Sequence, residues 1–314
     1  MFAMTRLRLL VVVIGGGALA ALLALAAFSS IASATHSWSN YHWGRTTGTF
    51  ALRLDDNLTT QAWKKDLATA SGSANASGEP STFDTNGIND WTDSSVLDTF
   101  IYPSTNTKQC SATSGRVEVC NATYGSNGWL GLATVWTSGG HIVQGTAKMN
   151  DTYFNTSRYN KPGWRHLVMC QEVGHTFGLA HQDATNSNAN LGTCMDYSSD
   201  PDGKLADPDQ LSNEFPDVHD YDQLGTTYAH TTDSKTTVGS TGAAGSALPA
   251  AARAIDTVDP AQRGQLVHRS PDGGVAIYVR DFGGGHQVIT RVIRAVDGIS
   301  ALETNRGHQD HHDH

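Results

Sequence analysis

The sequence has little positive charge and never gathers it in one place. Its 314 residues include 21 Lys and Arg against 30 Asp and Glu, which gives a formal net charge of -9, and no lysine or arginine cluster occurs. Surfaces that bind nucleic acid need a basic stripe or patch. We therefore expect no nucleic-acid partner and interpret the acidic balance as a contribution to solubility.

Cysteine is also scarce, and its spacing argues against a cysteine-rich zinc cluster. The four cysteines lie between positions 110 and 194, and none forms a C-x-x-C pair of the kind that binds zinc. An even number in an exported chain is typical of disulfides. Three pairings are possible. We favour Cys110 with Cys120, which closes a short loop, and Cys170 with Cys194.

One long uncharged stretch, at the N-terminus, predicts export. Arg6 and Arg8 precede an uncharged run over residues 9–28, and the following Ala32-Ser33-Ala34 is a small-residue pattern after which signal peptidases cut. We predict a signal peptide over residues 1–34 and a secreted protein that meets a membrane only during export. A retained membrane anchor is the alternative, because the run is nearly long enough to span a bilayer.

The pattern that follows predicts an α+β domain over residues 36–231. Phe50, Leu52 and Leu54 alternate as on one face of a strand, and an amphipathic helix is expected over residues 60–69. Apolar or alternating runs bounded by Gly, Asn and Ser predict further strands at SSVLDTFIY, GRVEVCN, GWLGLATVW and GHIVQGTAKMN. A helix is expected from Pro162 to Gly178, and a last short one over residues 220–230.

The C-terminal part is predicted to be separate from this domain. Residues 232–262 are rich in Ala, Gly, Ser and Thr and have the composition of a flexible linker. Residues 263–307 alternate through two turn signals, PDGG and FGGG, and predict a small β-meander. Residues 308–314 form a histidine-rich tail, which is either a weak metal-binding segment or a solvated polar end.

The segment VMCQEVGHTFGLAH carries the pattern for metal chemistry. Gln171 and His175 lie about one helical turn apart and share a face, with Glu172 beside them. A metal held there would lower the pKa of a bound water molecule, and a carboxylate would take its proton. Gly178 would let the chain leave the helix in a conformation that other residues disfavour, which returns His181 toward the metal.

Read from Gln171, this segment is Q-E-x-x-H-x-x-G-x-x-H, which resembles the H-E-x-x-H-x-x-G-x-x-H motif of metzincins at every position but the first. The later segment CMDY contains Met195, 14 residues beyond His181, and is similar to their Met-turn. The chain thus resembles a metzincin-type, matrixin-like secreted metalloprotease. It is similar in particular to exported proteins that carry Gln at this place. The resemblance covers residues 38–230.

The resemblance implies a zincin fold with a twisted mixed sheet and an active-site helix, and one catalytic zinc ion or another divalent transition metal. The strand GWLGLATVW would be the edge against which a peptide substrate lies. The implied roles are metal binding by His175 and His181 with Gln171 in the third position, general base catalysis by Glu172, an apolar floor formed by Met195, and metal or oxyanion contact by Tyr197.

The missing histidine predicts a weaker site, because a carboxamide oxygen is a poorer zinc donor than an imidazole nitrogen. Tyr197 and Asp183 are candidate replacements, although Asp183 also fits a capping or turn role. His166 precedes position 171 by five residues, about 500° of helical rotation, and is expected to face elsewhere in a structural role. The histidines that the sequence alone does not place are His36, His42, His141 and His219.

Two functions remain open. The first is a secreted, monomeric, metal-dependent endopeptidase that hydrolyses protein or peptide substrates with Glu172 as general base. The second is a catalytically inert secreted binding protein that retains the scaffold, although the sequence offers Glu172 no purpose without a metal-bound water molecule. A third, an adhesion or carbohydrate module, rests only on the meander and seven tryptophans, which more often fill cores. No upstream cysteine is available to cap the metal.

Overall fold

The structure is a computed structural model that describes residues 36–46, 48–72, 90–105, 110–205, 209–230, 233, 235–239 and 248–295. These residues lie in one compact unit. The predicted signal peptide and the histidine-rich tail fall outside the described residues. Within the described part, no helix combines the length and the hydrophobicity that crossing a bilayer requires.

A single mixed sheet organises the molecule. Its nine strands are β1 (His42–Trp43), β2 (Phe50–Asn57), β3 (Leu97–Pro103), β4 (Val117–Ala122), β5 (Trp129–Ser138), β6 (His141–Asn150), β7 (Gln265–Arg269), β8 (Val275–Asp281) and β9 (His286–Arg294). The order across the sheet is β3-β2-β4-β6-β5-β9-β8-β7, and β1 pairs with β6. Strands β1 to β4 and β6 are parallel. Strand β5 is antiparallel to both neighbours, and the C-terminal strands form an antiparallel meander.

The described helices are α1 (Gln61–Ser71), α2 (Asp151–Phe154), α3 (Pro162–Thr176), α4 (Val218–Thr227) and α5 (Ala250–Arg253), with 3-10 turns at Trp91–Asp93 and Pro260–Gln262. Helix α1 begins at residue 61 because the Thr60 side chain accepts a hydrogen bond from the Trp63 N–H. Helix α4 begins at residue 218, two residues before the predicted start, because Asp217 and Asp220 form a capping box. The α+β class predicted from the sequence is confirmed.

The main core lies between α3 and the sheet. Helix α3 packs across β5 and β6, and α1 packs beside it. Leu52 and Leu54 of β2 are fully buried in this core, as their alternation predicts, together with Val168 and Val173 of α3. Residues with a 3.6 period on the helix and a period of two on the strands therefore meet in one apolar layer.

The C-terminal part differs from the predicted linker and separate meander. Strand β9 pairs with β5 along the strand, from Trp129 opposite Arg294 to Ser138 opposite His286, so the meander continues the main sheet. The described residues 248–262 contain α5, and Leu248 and Ala252 pack into a cluster with Trp136. These few apolar side chains are widely spaced in a segment with the composition of a linker. The sequence therefore did not indicate that the segment is packed.

Candidate functional site

Helix α3 delivers the motif residues as the sequence predicts. It begins at Pro162, where the missing N–H costs nothing, and ends at Thr176. Gly178 then adopts a positive φ of 100°, and a Cβ there would collide with the carbonyl oxygen of Tyr41. Only glycine suits both constraints, and the turn it makes returns His181 to the helix.

His175 and His181 point their Nε2 atoms at each other, 3.2 Å apart. The Nδ1–H of His175 donates to the carbonyl oxygen of Leu179 at 2.9 Å, which leaves Nε2 of the neutral ring as an acceptor. Two nitrogen ligands of a tetrahedral zinc ion, each about 2.0 Å from it, lie about 3.3 Å apart. The pair therefore has the spacing of two zinc ligands, and the hydrogen bond to Leu179 orients the His175 ring as metal-binding imidazoles are oriented.

Burial keeps both rings neutral. Desolvation is the largest cause that lowers the pKa of His175 well below its usual value, and the charges of His181 and Arg291 act in the same direction. Desolvation followed by the charge of Arg291 lowers the pKa of His181 to about 3. A metal ligand must offer a neutral ring, so both side chains stay available for coordination across the physiological pH range.

Gln171 lies on the same face of α3 and is fully buried. Its Nε2 donates to the carbonyl oxygen of Cys194 at 2.5 Å. Its Oε1 is buried and has no hydrogen-bond partner. Because an orphaned buried acceptor is costly, the amide fits a bound cation better than an apolar packing role. The donor set, two imidazole nitrogens and one amide oxygen, fits a zinc site that is weaker than three histidines would form.

Glu172 is also fully buried, and neither carboxylate oxygen accepts a hydrogen bond of normal geometry. Burial raises its pKa well above the usual value, while the charge of Arg291 and the nearby backbone N–H of Ala133 oppose the rise. Oε1 lies so close to Gly131 of β5 that any Cβ at that position would collide with it. The carboxylate is thus held between α3 and β5, at the position where Gly131 contributes no side chain.

Arg291 is the residue of this site that the sequence analysis missed. It lies on β9 opposite Ala133 of β5, is buried, and its Nη1 donates to the carbonyl oxygen of His175 at 3.4 Å. Desolvation lowers its pKa to about 10, and the charge of Glu172 limits the fall. Glu172 therefore has a cationic neighbour. This neighbour gives the carboxylate a role in the fold that needs no metal, which the sequence alone did not indicate. The signal available in the sequence was the charge of Arg291 among the apolar residues of β9.

The Met-turn segment lies against α3, as the resemblance implies. Cys170 and Cys194 form a disulfide, and Cys110 pairs with Cys120, so both predicted pairings are confirmed. A Cβ on Gly174 would lie 2.8 Å from the Sδ of Met195. The thioether therefore packs directly on the helix, beside the position that carries His175.

Two candidate replacements for the missing ligand are engaged elsewhere. The hydroxyl of Tyr197 donates to the carbonyl oxygen of Arg294 at 2.6 Å, and burial raises its pKa above the usual value. The structure thus holds Tyr197 against β9 rather than bringing its hydroxyl to the histidine pair. Asp183 accepts hydrogen bonds from the Thr185 N–H at 2.8 Å and the Asn188 side chain at 2.6 Å, which is the turn role.

The remaining histidines form structural contacts or a separate cluster. His166 faces away from the motif, with Nε2 3.1 Å from Asp66 and Nδ1 2.8 Å from Glu214, in the predicted structural role. His36 contacts the carbonyl oxygen of Ala180 and stacks on His219. His42 and His141 belong to the separate cluster, which lies away from the motif residues.

Access to the motif residues is narrow. Gln171, Glu172 and His175 are fully buried, and His181 is half-buried. Every residue of β5 is buried, because β6 and β9 occupy its two edges. The edge expected to receive a peptide substrate is therefore covered by the protein's own β9 in this conformation.

A group that could hold a metal ion lies outside the motif. Among the described residues, His42, His230 and Asp233 place one ligand atom each within 4.8 Å of one another. The sequence analysis named His42 only as a histidine it could not place and did not single out His230 or Asp233. His42 lies 188 positions before His230, and Asp233 follows His230 by three residues, so no single stretch of sequence indicates a site.

Comparison of the chain with protein-family models and with curated proteins finds no match.

Proposed function

We propose that the protein is a secreted metal-dependent endopeptidase with its metal centre at His175, His181 and Gln171. The observation that carries the proposal is the histidine pair, whose Nε2 atoms are 3.2 Å apart next to the orphaned Oε1 of Gln171. The motif spacing, the glycine turn and the disulfide behind the Met-turn support the same assignment. The mixed sheet with a buried motif helix agrees with a metzincin-like fold, and the two disulfides agree with export.

Glu172 would be the general base. A zinc ion in this site supplies Lewis acidity, which polarises a peptide carbonyl and makes a water molecule easier to deprotonate. Glu172 then takes a proton from the attacking water and returns it to the amide nitrogen of the leaving amine. Burial raises the pKa of Glu172, so its carboxyl group is better able to hold a proton between these two transfers.

The substrate would be an extended protein or peptide segment that pairs with the β5 edge. Because β9 occupies that edge, we infer that β9 leaves β5 when a substrate binds. Arg291 would leave with it, which frees the carboxylate of Glu172 from its cationic neighbour. The conformation described is then the resting state of the enzyme.

An inert binding protein is the second candidate, and a specific observation favours it. The cation of Arg291 and the carboxylate of Glu172 influence each other's pKa, so Glu172 has a role in the fold without any metal. If β9 never leaves β5, substrates cannot reach the motif residues, and the protein would act only by binding partners through its surface.

Metal analysis and peptidase assays on the full chain separate the two. His175→Ala should lose one zinc equivalent, and chelator-sensitive cleavage of an unfolded protein substrate should disappear in Glu172→Gln. The matched control is Glu118→Gln, since Glu118 is also a buried glutamate with a pKa raised by burial but lies on β4. Deleting residues 308–314 should leave this zinc in place. Unchanged zinc in His175→Ala together with no chelator-sensitive cleavage by the parent would select the inert scaffold, and cleavage that survives in Glu172→Gln would refute Glu172 as the general base.

A further inference from the structure

Three histidine side chains converge on one carboxylate oxygen. The Oδ1 of Asp233 lies 3.3 Å from Nε2 of His42, 3.2 Å from Nε2 of His141 and 3.0 Å from Nε2 of His230. The Nε2 atoms of His42 and His230 are themselves 3.0 Å apart. His42 comes from β1, His141 from the first position of β6, and the other two from the segment after α4.

These separations match the edges of a zinc coordination shell. Ligand atoms of a tetrahedral zinc ion, at about 2.0–2.1 Å from it, lie about 3.3 Å from each other. The four measured separations, 3.0 to 3.3 Å, all fall close to that value. The donor atoms of His42, His230 and Asp233 all lie within 4.8 Å of one another, whereas His141 falls outside that group and its ring would have to turn to complete the shell.

The hydrogen bonds behind the cluster orient it as metal ligands are oriented. The Nδ1–H of His42 donates to the carbonyl oxygen of Asn40 at 2.7 Å. The second oxygen of Asp233, Oδ2, accepts from the backbone N–H of Arg45 at 2.8 Å. Metal-binding imidazoles almost always donate their other N–H to such a carbonyl, and metal-binding carboxylates are themselves hydrogen-bonded.

The same hydrogen bonds crowd lone pairs together. Because a carbonyl oxygen only accepts, Nδ1 of His42 carries a proton, and in the neutral form of the ring Nε2 presents a lone pair. That lone pair faces the carboxylate oxygen of Asp233 at 3.3 Å and Nε2 of His230 at 3.0 Å. Acceptors that face each other at this distance repel unless a positive charge lies between them; a proton on one nitrogen supplies that charge to a single contact, whereas a divalent cation supplies it to all of them.

We propose that His42, His141, His230 and Asp233 form a second metal site that takes a late first-row divalent cation, with zinc as the natural occupant. Three imidazole nitrogens and one carboxylate oxygen suit zinc. Calcium and magnesium prefer shells made of oxygen. The site is independent of the proposed catalytic centre, which it neither requires nor supports.

The bound ion would add a cross-link between three segments that the β1–β6 pairing and backbone hydrogen bonds of Gly44 and Arg45 already bring together. His42 belongs to the N-terminal segment, His141 to the β5–β6 turn, and His230 and Asp233 to the chain that leaves α4. The site opens to solvent at His230, whose side chain is 41 % exposed, whereas that of Asp233 is 6 % exposed. Zinc can therefore enter the folded protein, and it stabilises the fold by preferring the folded over the unfolded chain.

Competitive zinc titration of the full chain, with zinc as the only added ligand, tests the site. Asp233→Asn and His230→Ala should each lower zinc affinity at one equivalent by tenfold or more and should reduce the rise in melting temperature that zinc produces. Two matched controls are available: His286→Ala changes a partly exposed histidine on β9, and Asp259→Asn changes an exposed aspartate. Both controls should titrate like the parent chain.

The two metal sites can be told apart by combining variants. His175→Ala should lose the other equivalent and keep the stabilisation that depends on Asp233, so failure of the proposed catalytic centre leaves this result unchanged. Circular dichroism at neutral pH checks that Asp233→Asn is folded, and His230→Ala, which removes the most exposed of the four side chains, provides a second folded variant. Parental zinc affinity and parental thermal shift in both Asp233→Asn and His230→Ala would overturn the proposal.

Discussion

At the scale of single residues, position 171 carries an amide where an imidazole is expected, and the structure shows how the amide is used. The Nε2 of Gln171 is tied to the carbonyl oxygen of Cys194, while Oε1 has no partner. The donor end of the amide is therefore engaged, and the acceptor end is the one that the proposed metal would use. Next to it, Glu172 is balanced by the cation of Arg291, which comes from a strand 119 positions further along the chain.

Replacing Gln171 tests whether this position faces the metal. Gln171→His supplies a nitrogen donor at the same helical offset from His175, and zinc affinity at the motif should rise by about tenfold or more because zinc prefers imidazole to a neutral amide oxygen. Competitive zinc titration of both proteins measures it. Gln223→His is the matched control, since Gln223 is another buried helical glutamine whose Oε1 lacks a partner. Unchanged or weaker binding in Gln171→His would mean that position 171 does not coordinate.

A double-mutant cycle tests the coupling between Glu172 and Arg291. Arg291→Met should lower the free energy of unfolding by about 3 kcal/mol, because it leaves a buried carboxylate without its cation. Adding Glu172→Gln should recover at least about 1 kcal/mol of that loss, since neither charge then remains. Denaturant unfolding of the parent, both single variants and the double variant gives the coupling. Strictly additive losses would show that the two side chains do not interact.

At the scale of elements, two connections define the site. The disulfide between Cys170 and Cys194 ties α3 to the Met-turn segment, so the histidines and the thioether beneath them keep their separation. The pairing of β9 with β5 covers the site from the other side. In the proposed enzyme, the disulfide would hold the metal-binding residues in place, and the β9–β5 pairing would control access to them.

Removing each disulfide separately should separate stability from metal binding. The loops closed span 24 residues for Cys170–Cys194 and 10 for Cys110–Cys120, so loss of either costs about 3 kcal/mol in the chain-entropy account. Only Cys170→Ala/Cys194→Ala should also weaken zinc binding at the motif, because that bridge alone touches α3. Zinc titration and denaturant unfolding of both double variants measure this. Equal zinc affinity in the two would contradict the clamping role.

Locking β9 onto β5 tests whether the strand must move. Thr134 and Thr290 are cross-strand partners with their Oγ1 atoms 3.4 Å apart, so Thr134→Cys/Thr290→Cys is placed to form a disulfide. If substrates pair with the β5 edge, the oxidised double variant should retain less than about one tenth of the peptidase activity, which corresponds to a loss of at least about 1.4 kcal/mol in substrate binding. The single-cysteine variants control for the loss of the hydroxyls. Full activity in the locked protein would place the substrate elsewhere.

At the scale of the whole molecule, charged clusters join segments that the sheet alone does not hold together. His166 of α3 bridges Asp66 of α1 and Glu214 ahead of α4. Burial by itself would lower the pKa of His166, but the hydrogen bonds and charges of the two carboxylates outweigh it and raise the pKa to about 9. The bridge therefore depends on pH through one proton.

The pH dependence of unfolding follows from that shift. Because the pKa of His166 is higher in the folded chain, its stabilisation is complete below about pH 6.5 and is lost as the pH rises through about 9. His166→Gln should be less stable than the parent by about 2 kcal/mol at pH 6, and this difference should shrink toward pH 9.5. Urea unfolding of both proteins at intervals between these pH values measures it. A difference that stays constant across the range would contradict the assignment.

The sequence alone determined the features that depend on neighbours in the chain. Helical spacing put Gln171, His175 and Glu172 together, and Gly178 marked the end of α3 because only glycine accepts that turn. The alternation of β2 and of the meander was predictable for the same reason. Each of these follows from local geometry, which short-range patterns encode.

Only the tertiary structure decided which distant segments meet. The register of β9 on β5 puts Arg291 beside Glu172, and a shift of one residue would turn that side chain to the other face of the sheet. The convergence of His42, His141 and His230 on Asp233 joins segments separated by up to 191 positions. Long-range contacts of this kind arise from strand pairing and packing across the whole core, so no local pattern in the sequence predicts them.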